Sequence, residues 1–178
     1  MQRIFLLVCG LAMSFFIQAQ DPSTLEWWTL NSHSTPIIQG QGWQEGLASP
    51  YHRLPLKAKE SVREAVWNLS RQAAGLSIVF TTDAREIYVQ YQVKGNIAMP
   101  HMPATGVSGV DLYKITPNGW PERSWGSYHI KEKTNYRFPL DGTPSTYRLY
   151  LPLNNEMDSL QIGFTEGTSF QIQPLRTE

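Results

Sequence analysis

The stretch Glu86-Ile87-Tyr88-Val89-Gln90-Tyr91-Gln92-Val93 alternates between apolar and polar side chains along its whole length. Every second residue from Ile87 to Val93 is β-branched or aromatic, and successive side chains of an extended strand point to opposite faces. A period of two therefore predicts a β-strand with one face in a hydrophobic core and the other toward solvent. Its neighbours in a sheet are expected among the segments that show the same period.

Other segments of the chain show this period or a short apolar run. The clearer ones predict strands at 74–82, 147–151, 160–164 and 170–173, and weaker ones predict strands at 37–43, 66–69, 110–115, 127–130 and 136–140. Helical patterns are sparse, and Val66 and Trp67 favour an extended chain because both are good strand formers. About eight to ten short strands separated by turn-rich segments predict an all-β fold, an antiparallel β-sandwich of jelly-roll-like form.

The first residues are typical of a secretory signal peptide. Arg3 provides a positive charge, residues 4–17 are mostly apolar, and Ala19 offers a small residue at the cleavage position. Residues 1–19 are therefore predicted to be removed, which leaves one domain at 20–178 in a secreted or periplasmic protein. The one cysteine, Cys9, lies within the signal peptide, so the mature chain is predicted to have no disulfide and no thiolate ligand.

The charge of the chain is balanced, with 15 Lys and Arg residues against 15 Asp and Glu residues. Loss of the signal peptide removes one basic residue, Arg3, and no acidic residue. Neither a nucleic acid nor an anionic membrane is expected as a partner of the mature chain, because both bind to a basic face that the sequence does not provide.

Two serines lie in segments that match catalytic motifs only in part. Ser108 lacks the G-x-S-x-G spacing that places a nucleophile between a strand and a helix. Ser159, in Met157-Asp158-Ser159-Leu160, differs from a GDSL block by one residue, but the 18 residues that follow are too few for a parallel sheet with crossover helices. Asp158 and Ser159 are therefore interpreted as a turn before the strand at 160–164. A complete small hydrolase that uses Ser108 or Ser159 is an alternative.

The four histidines show no catalytic or metal-binding spacing. None lies three residues after an aspartate, and no two of them are spaced as metal ligands usually are. We therefore predict no catalytic residue, no cofactor and no metal ion for this chain.

Two polar residues stand out in apolar surroundings. His101 lies in Met99-Pro100-His101-Met102-Pro103, where the prolines stiffen the loop and the methionines give it an adaptable apolar surface. Such a loop either binds a partner or closes the fold with His101 capping a backbone carbonyl, and the sequence favours neither. Asp111 occupies a predicted strand, where aspartate is disfavoured. We expect it to bond to the turn at 106–109, which is favoured, or to contact a partner across an interface.

Trp120 and Trp125 flank a turn-rich segment, which places them on a surface loop. Exposed aromatic rings can stack on the faces of pyranose sugars, so these two are candidate glycan-stacking residues. Core packing is the alternative, and it is expected for most of the six tryptophans because aromatic side chains dominate hydrophobic cores.

Two nearly adjacent runs, Met99-Pro100-His101-Met102-Pro103-Ala104-Thr105-Gly106 and Gly109-Val110-Asp111-Leu112-Tyr113, resemble a known family. The second is similar to the G-x-D-L-Y signature of the domain that precedes the catalytic domain in secreted SGNH (GDSL-like) esterases, and the first is similar to the loop before it. Segments at 51–55, 66–70, 74–76 and 147–155 extend the resemblance over most of the mature chain. It implies a β-sandwich placed ahead of an SGNH hydrolase domain in enzymes that resemble carbohydrate esterases.

The resemblance also implies that the nucleophile and its histidine lie in the second domain, so no catalytic residue is carried onto this chain. It implies a non-catalytic accessory domain that packs on an SGNH catalytic domain, fused or separately encoded, and shapes substrate access. We expect the residues that face that domain or its substrate to be His101, Thr105, Asp111 and Tyr113. An acylated glycan is a further expected partner. The alternative is a stand-alone secreted glycan-binding module that uses Trp120 and Trp125.

Overall fold

The structure, a computed structural model, describes residues 24–30, 36–118 and 120–174. The predicted signal peptide at 1–19 lies outside these residues. The strands are β1 (Leu25–Thr29), β2 (Ile38–Gln39), β3 (Ser77–Thr82), β4 (Glu86–Val93), β5 (Asp111–Ile115), β6 (Pro121–Ser124), β7 (Ser127–His129), β8 (Lys133–Pro139), β9 (Ser145–Tyr150), β10 (Met157–Thr165) and β11 (Phe170–Ile172). The helices are a 3₁₀ helix (Leu56–Glu60), α1 (Glu64–Ser70) and α2 (Ala104–Ser108). In the part of the chain described, no helix is long and apolar enough to cross a membrane.

The strands form two sheets in which neighbouring strands run antiparallel. The first sheet has the order β1-β10-β4-β8-β7, and the second has the order β11-β3-β9-β5-β6, with β2 also paired to β3. The predicted all-β antiparallel sandwich is confirmed, although the described residues contain eleven strands rather than eight to ten. The jelly-roll-like arrangement stays a prediction.

The hydrophobic core lies between the two sheets. In β4 the alternation predicted from the sequence is confirmed, because Ile87, Val89 and Tyr91 are buried. In β9 the buried residues are Tyr147 and Leu149, which belong to the same core. Burial of apolar area contributes about 25 cal/mol per Å², so these paired inner faces hold the two sheets together.

The extended chain expected at 66–69 is wrong, because residues Glu64–Ser70 form α1. The buried residues of α1 are Trp67 and Ser70, which share one face of the helix. The Ser70 hydroxyl donates a hydrogen bond to the Trp67 carbonyl at 2.7 Å. A strand needs a neighbouring strand for its backbone hydrogen bonds, whereas a helix satisfies most of them within itself. Here that difference outweighs the strand propensity of Val66 and Trp67.

Other boundaries also differ from the sequence prediction. The strand expected at 74–82 begins at Ser77, because Gly75 adopts a φ of +79° in the turn before it. The turn expected at Asp158 and Ser159 is instead part of β10, whose pairing with β4 has an irregularity between Met157 and Ser159. Two strands, β1 and β6, lie where the sequence predicted none.

Candidate functional site

The signature at 109–113 leads into β5 and divides its side chains between core and surface. Leu112 is fully buried, whereas Asp111 and Tyr113 are half-buried on the outer face of the second sheet. Asp111 lies opposite Tyr150 on the neighbouring strand β9. The rings of Tyr113 and Tyr150 meet edge to face with their centroids 5.8 Å apart. The signature therefore presents its polar side chains on the surface and holds them there through Leu112.

Gly109 lies between α2 and β5, where the chain is tightly packed. Its φ of −71° is open to any residue, so this position requires a small side chain rather than conformational freedom. A Cβ atom here would collide with the Thr105 carbonyl and would lie 2.9 Å from the Tyr136 hydroxyl oxygen. Burial raises the pKa of Tyr136 to about 12, so that hydroxyl is neutral at physiological pH. Gly109 thus lets α2 pack directly against the start of β5.

Asp111 binds a side chain on the neighbouring strand β6. Arg123 donates a hydrogen bond from Nη2 to Asp111 Oδ1 at 2.5 Å. The same guanidinium lies over the ring of Trp125, 4.4 Å from its centroid. The favoured interpretation, a hydrogen bond from Asp111 to the turn at 106–109, is wrong, because strand pairing brings an arginine within reach of the carboxylate. Carboxylate, guanidinium and indole form one line of contacts on the surface.

Trp125 and Gly126 form the corner at which the chain passes from β6 in the second sheet to β7 in the first. A cavity of about 450 Å³, which we name the Trp125 cleft, opens beside this corner. Tyr128 is exposed, and its ring packs against Tyr136 with the centroids 5.3 Å apart. The lining of the cleft includes Thr105, Asp111, Arg123, Ser124, Trp125 and Tyr128.

A second cavity, of about 570 Å³, shares Thr105, Gly106 and Asp111 with the first. We name it the Tyr150 cleft. It is the more apolar of the two, since its lining also includes Tyr113, Pro121, Tyr150, Leu151 and Leu153. The structure therefore brings together three of the four residues predicted to face a partner, Thr105, Asp111 and Tyr113.

A third concavity, of about 870 Å³, lies further along the outer face of the second sheet. We name it the exit concavity, because Gln173 and Pro174, the last described residues, line it. The backbone N–H of Gln173 donates a hydrogen bond to the Val79 carbonyl at 2.8 Å. Ile115, the next outward residue of β5 after Tyr113, lines the same concavity. The described chain therefore ends on the face that carries the polar residues of the signature.

His101 and Trp120 line neither the Trp125 cleft nor the Tyr150 cleft. His101 is exposed at the tip of a turn closed by two backbone hydrogen bonds between Met99 and Met102, each 3.0 Å long. Its side chain makes no hydrogen bond within the described ranges, so the alternative in which it caps a carbonyl is wrong. Trp120 is 77% exposed and Trp125 is 73% exposed, which excludes core packing for both rings.

A buried polar network fixes the loop that leads to the signature. The side chain of Asn155 accepts hydrogen bonds from the backbone amides of Gly95 at 2.8 Å and Glu156 at 3.0 Å. It donates to the Asn96 carbonyl at 3.0 Å and to the Ser108 hydroxyl at 2.9 Å. Both ends of this almost fully buried amide are satisfied. The network therefore ties the segment 95–108 to the start of β10.

Ser108, one of the two serines considered as a nucleophile, is part of this network. Its hydroxyl donates to the Ile97 carbonyl at 3.0 Å, and its own carbonyl accepts a hydrogen bond from the Tyr91 hydroxyl at 2.5 Å. Burial, the largest cause, raises the pKa of Tyr91 above its usual range. The hydroxyl oxygen of Ser108 is therefore buried and already hydrogen-bonded.

Ser159 is exposed on β10. In the ranges that the structure describes, no hydrogen bond joins a histidine to Ser108 or to Ser159. Across the same residues, no group of three His, Cys, Asp or Glu side chains is arranged to hold a metal ion.

A cluster of charges, which we name the Glu156 cluster, lies beside Asn155. The Glu156 carboxylate contacts His52 Nε2 at 3.1 Å, Arg71 Nη1 at 3.2 Å and Lys94 Nζ at 3.2 Å. Burial raises the pKa of Glu156, but hydrogen bonds from His52 and Lys94, with the charges of Lys94 and Arg71, lower it by more, so the pKa falls below its usual value. One carboxylate thus joins three segments that are distant in the sequence.

Among the residues of these sites that the sequence did not single out are Arg123, Tyr128 and Asn155. Arg123 lies in a segment expected to be a surface loop, so its pairing with β5 has no signal in the sequence. Tyr128 was expected in a strand, but nothing in the pattern placed it beside Trp125. For Asn155 a signal exists, because two asparagines directly follow the apolar strand and loop at 147–153.

Comparisons with known proteins agree with this architecture. The family model described as GxDLY, N-terminus of Esterase_SGNH_hydro-type, matches residues 25–170. A solved structure of a putative GDSL-like lipase from Bacteroides ovatus is similar, with a TM-score of 0.70 and 24% identity over 83% of this chain. At that identity the likeness shows the fold alone. The match covers 42% of the lipase chain, so this chain spans less than half of that protein's length. No curated protein matches the chain.

Proposed function

Since this chain belongs to the GxDLY family, the N-terminal part of SGNH-hydrolase-type esterases, we propose that it is a non-catalytic accessory domain. In this proposal the domain packs on an SGNH catalytic domain and shapes the access of an acylated glycan to it. The partner is fused to this chain or encoded separately.

The observation that carries the proposal is that the signature and the last described residues share one face. Asp111 and Tyr113 point outward from the second sheet, and Gln173 and Pro174 line a concavity on the same outer face. A catalytic domain joined to the chain after these residues would lie near that face. The polar residues of the signature are then placed to contact it.

The Tyr150 cleft supplies the apolar part of such a contact. Leu153 and Tyr150 are large apolar residues left exposed on this side of the domain. Contiguous exposed apolar patches commonly mark interaction sites. Interfaces between domains of one chain bury about 600–1,500 Å² and include polar groups, which Asp111 and Thr105 provide here. We therefore place the catalytic domain over the Tyr150 cleft and the exit concavity.

We propose that this function is performed outside the cytoplasm, by a secreted or periplasmic protein, because residues 1–19 are typical of a signal peptide. Sequencing of the N-terminus of the exported protein tests this location. The expected result is a mature chain that begins near Gln20, and an intact N-terminus would contradict it.

The test of the proposed function uses the SGNH hydrolase domain encoded in continuation with, or next to, this chain. That domain is expressed with and without the accessory domain, and kcat/KM is measured on an acetylated oligosaccharide and on p-nitrophenyl acetate. We expect a stable complex, and a loss of kcat/KM without the accessory domain that is larger for the oligosaccharide. A small ester needs no shaped access route, so its kcat/KM should change less.

A double variant and a control variant locate the contact with the catalytic domain. Tyr113→Ala combined with Leu153→Ala is expected to weaken the association at least about tenfold, which is about 1.4 kcal/mol. Tyr88→Ala is the matched control, because Tyr88 points outward from the first sheet, on the other side of the sandwich. Absence of a complex, or an equal loss in both variants, would contradict the proposal.

A second candidate function, a stand-alone glycan-binding module, is favoured by one observation. Trp125 is exposed and lines a cleft with unpaired hydroxyl groups, as a sugar-binding ring does. If no SGNH domain is encoded beside this chain, and the chain alone binds a glycan, this second function replaces the first.

A further inference from the structure

We propose that the Trp125 cleft binds a neutral pyranose unit of a glycan, with the sugar ring stacked on Trp125 and its hydroxyl groups bonded to Asp111, Thr105 and Ser124. This inference deepens the proposed function and rests on it for its biological role, because it assigns the part of the accessory domain that faces the substrate. The binding itself is a property of this chain and is testable without a catalytic domain.

The ring of Trp125 is exposed yet held in place. The guanidinium of Arg123 covers one side of it, 4.4 Å from the centroid, and Asp111 fixes that guanidinium through a hydrogen bond of 2.5 Å. With 73% of the residue still exposed, most of the ring remains open to solvent. A ring that is ordered before binding loses little conformational freedom when a ligand stacks on it. This arrangement suits the apolar C–H face of a pyranose.

Hydrogen-bonding groups without partners converge on the same cleft. The hydroxyl groups of Thr105 and Ser124 line it and have no hydrogen-bond partner within the described residues. Asp111 uses Oδ1 for Arg123, while Oδ2 has no such partner in the same ranges. A carboxylate oxygen is a strong acceptor for a sugar hydroxyl, because hydrogen bonds to an ionised group are roughly twice as strong as neutral ones.

The charge of the cleft indicates the class of ligand. Asp111 and Arg123 are the charged residues of its lining, and they neutralise each other. A strongly anionic or cationic ligand would find no net opposite charge here. One face of Trp125 already stacks on a cation, the Arg123 guanidinium. A volume of about 450 Å³ lies within the range of about 300–1,000 Å³ that is usual for small-molecule sites.

The test measures binding of neutral oligosaccharides to the mature chain. Xylohexaose, cellohexaose, mannohexaose and chitohexaose are titrated by isothermal calorimetry, with tryptophan fluorescence as a second readout. We expect at least one of them to bind with a Kd below about 1 mM. Trp125→Ala is expected to weaken that binding at least about tenfold. The matched control, Trp120→Ala, removes an equally exposed ring outside the cleft and should leave Kd within about twofold.

A third variant, Asp111→Asn, tests the polar half of the site. It keeps the shape of the side chain but loses the charge that holds Arg123. We therefore expect it to lose more affinity for the sugar than Trp120→Ala does and less than Trp125→Ala does. The proposal is overturned if none of the four sugars binds below about 10 mM, or if Trp125→Ala and Trp120→Ala lose affinity equally.

The outcomes separate this inference from the proposed function. A chain that associates with the SGNH domain but binds no sugar overturns only the assignment of the Trp125 cleft. A chain that binds a sugar through Trp125 but forms no complex with the SGNH domain overturns only the accessory role. Circular dichroism confirms that the variants are folded, which we expect because all three side chains lie at the surface.

Discussion

Two of the carboxylates that bind arginine in this domain, Glu156 and Asp111, differ in their surroundings. In the Glu156 cluster the carboxylate side chain is 13% exposed and contacts three basic side chains at 3.1 to 3.2 Å. In the second case, which we call the Asp111 pair, Asp111 and Arg123 are 46% and 45% exposed and lie 2.5 Å apart. The shorter contact is thus the more exposed one. The distance between the charged atoms therefore does not by itself indicate how much an ion pair contributes to the stability of the fold.

The burial of each carboxylate decides how much its ion pairs contribute to the free energy of unfolding. Exposed ion pairs typically contribute about 0–1 kcal/mol, because water screens the charges and two long side chains must be ordered. Removing one partner of a buried group leaves the other partner without a hydrogen bond, which costs about 1–3 kcal/mol or more. We therefore expect the Glu156 cluster and its neighbour Asn155 to maintain the fold. The Asp111 pair should instead position Trp125 for recognition at the surface.

The largest effect is expected for Asn155→Ala, in the buried network beside the Glu156 cluster. The change leaves the amides of Gly95 and Glu156 and the Asn96 carbonyl without their partner, so the free energy of unfolding should fall by about 3 kcal/mol. Urea denaturation measures it. Asn135→Ala, at a half-buried asparagine whose hydrogen bond to the Lys133 carbonyl is exposed, is the control and should change stability by less than about 0.5 kcal/mol. Equal effects would remove the distinction between buried and exposed sites.

The next effect is expected for Gly109→Ala, at the junction between the buried network and the surface signature. The added methyl group collides with the Thr105 carbonyl and crowds the Tyr136 hydroxyl, so we expect a loss of about 2 kcal/mol in the free energy of unfolding. Gly167→Ala is not a suitable control because its φ is +79°. Gly42→Ala is suitable, since its Cβ would meet nothing within 4 Å. If neither substitution lowers the free energy of unfolding, the space between α2 and β5 can accommodate a methyl group and this account is wrong.

A smaller effect, with a defined pH dependence, is expected for Glu156→Gln. The pKa of Glu156 is lower in the folded chain than its usual value of 4.5, so its carboxylate stabilises the fold above that pH. That contribution is lost as the pH falls below 4.5 through the folded pKa. We expect wild type to exceed Glu156→Gln by about 1–2 kcal/mol at neutral pH, measured by denaturation across a pH series. The gap should close in acid, and a gap independent of pH would contradict this account.

The smallest effect on stability is expected for Asp111→Asn. The side chain and its partner Arg123 are both nearly half exposed, so the free energy of unfolding should change by less than about 0.5 kcal/mol. The emission of Trp125 should nevertheless change, because its contact with Arg123 is no longer fixed by Asp111. Comparing the fluorescence spectra of Asp111→Asn and Trp125→Ala identifies that contribution. A loss of stability as large as that of Glu156→Gln would show that burial does not separate the two sites.

The local sequence pattern was sufficient to predict a strand where that strand has one buried face. The period of two at 86–93 predicted both the bounds of β4 and its buried residues, because alternation is a property of neighbouring residues. It failed at α1, where Val66 and Trp67 favour a strand but no neighbouring strand is available to them. It also failed at β6, whose few charged and small residues carry no alternation and whose formation depends on pairing with β5.

The candidate site was predicted in part for the same reason. Thr105, Asp111 and Tyr113 belong to two motifs that are close in the sequence, so their proximity in space could be expected. Trp125 could be predicted as exposed, but its neighbours could not. Arg123 reaches Asp111 only because β6 folds back along β5, and the sequence does not contain that pairing as a local signal.

The sequence by itself determined the family, the all-β class and the faces of the clearest strands, because these depend on motifs and on alternation within a few residues. The tertiary structure alone decided which distant groups meet. Asn155 binds Ser108 across 47 residues, and His52 binds Glu156 across 104 residues. Both contacts join the residues just before β10 to segments outside the two sheets, since Ser108 ends α2 and His52 precedes the 3₁₀ helix. Only when the sheets are assembled does one carboxylate become mostly buried and structural, while the other stays half exposed beside Trp125.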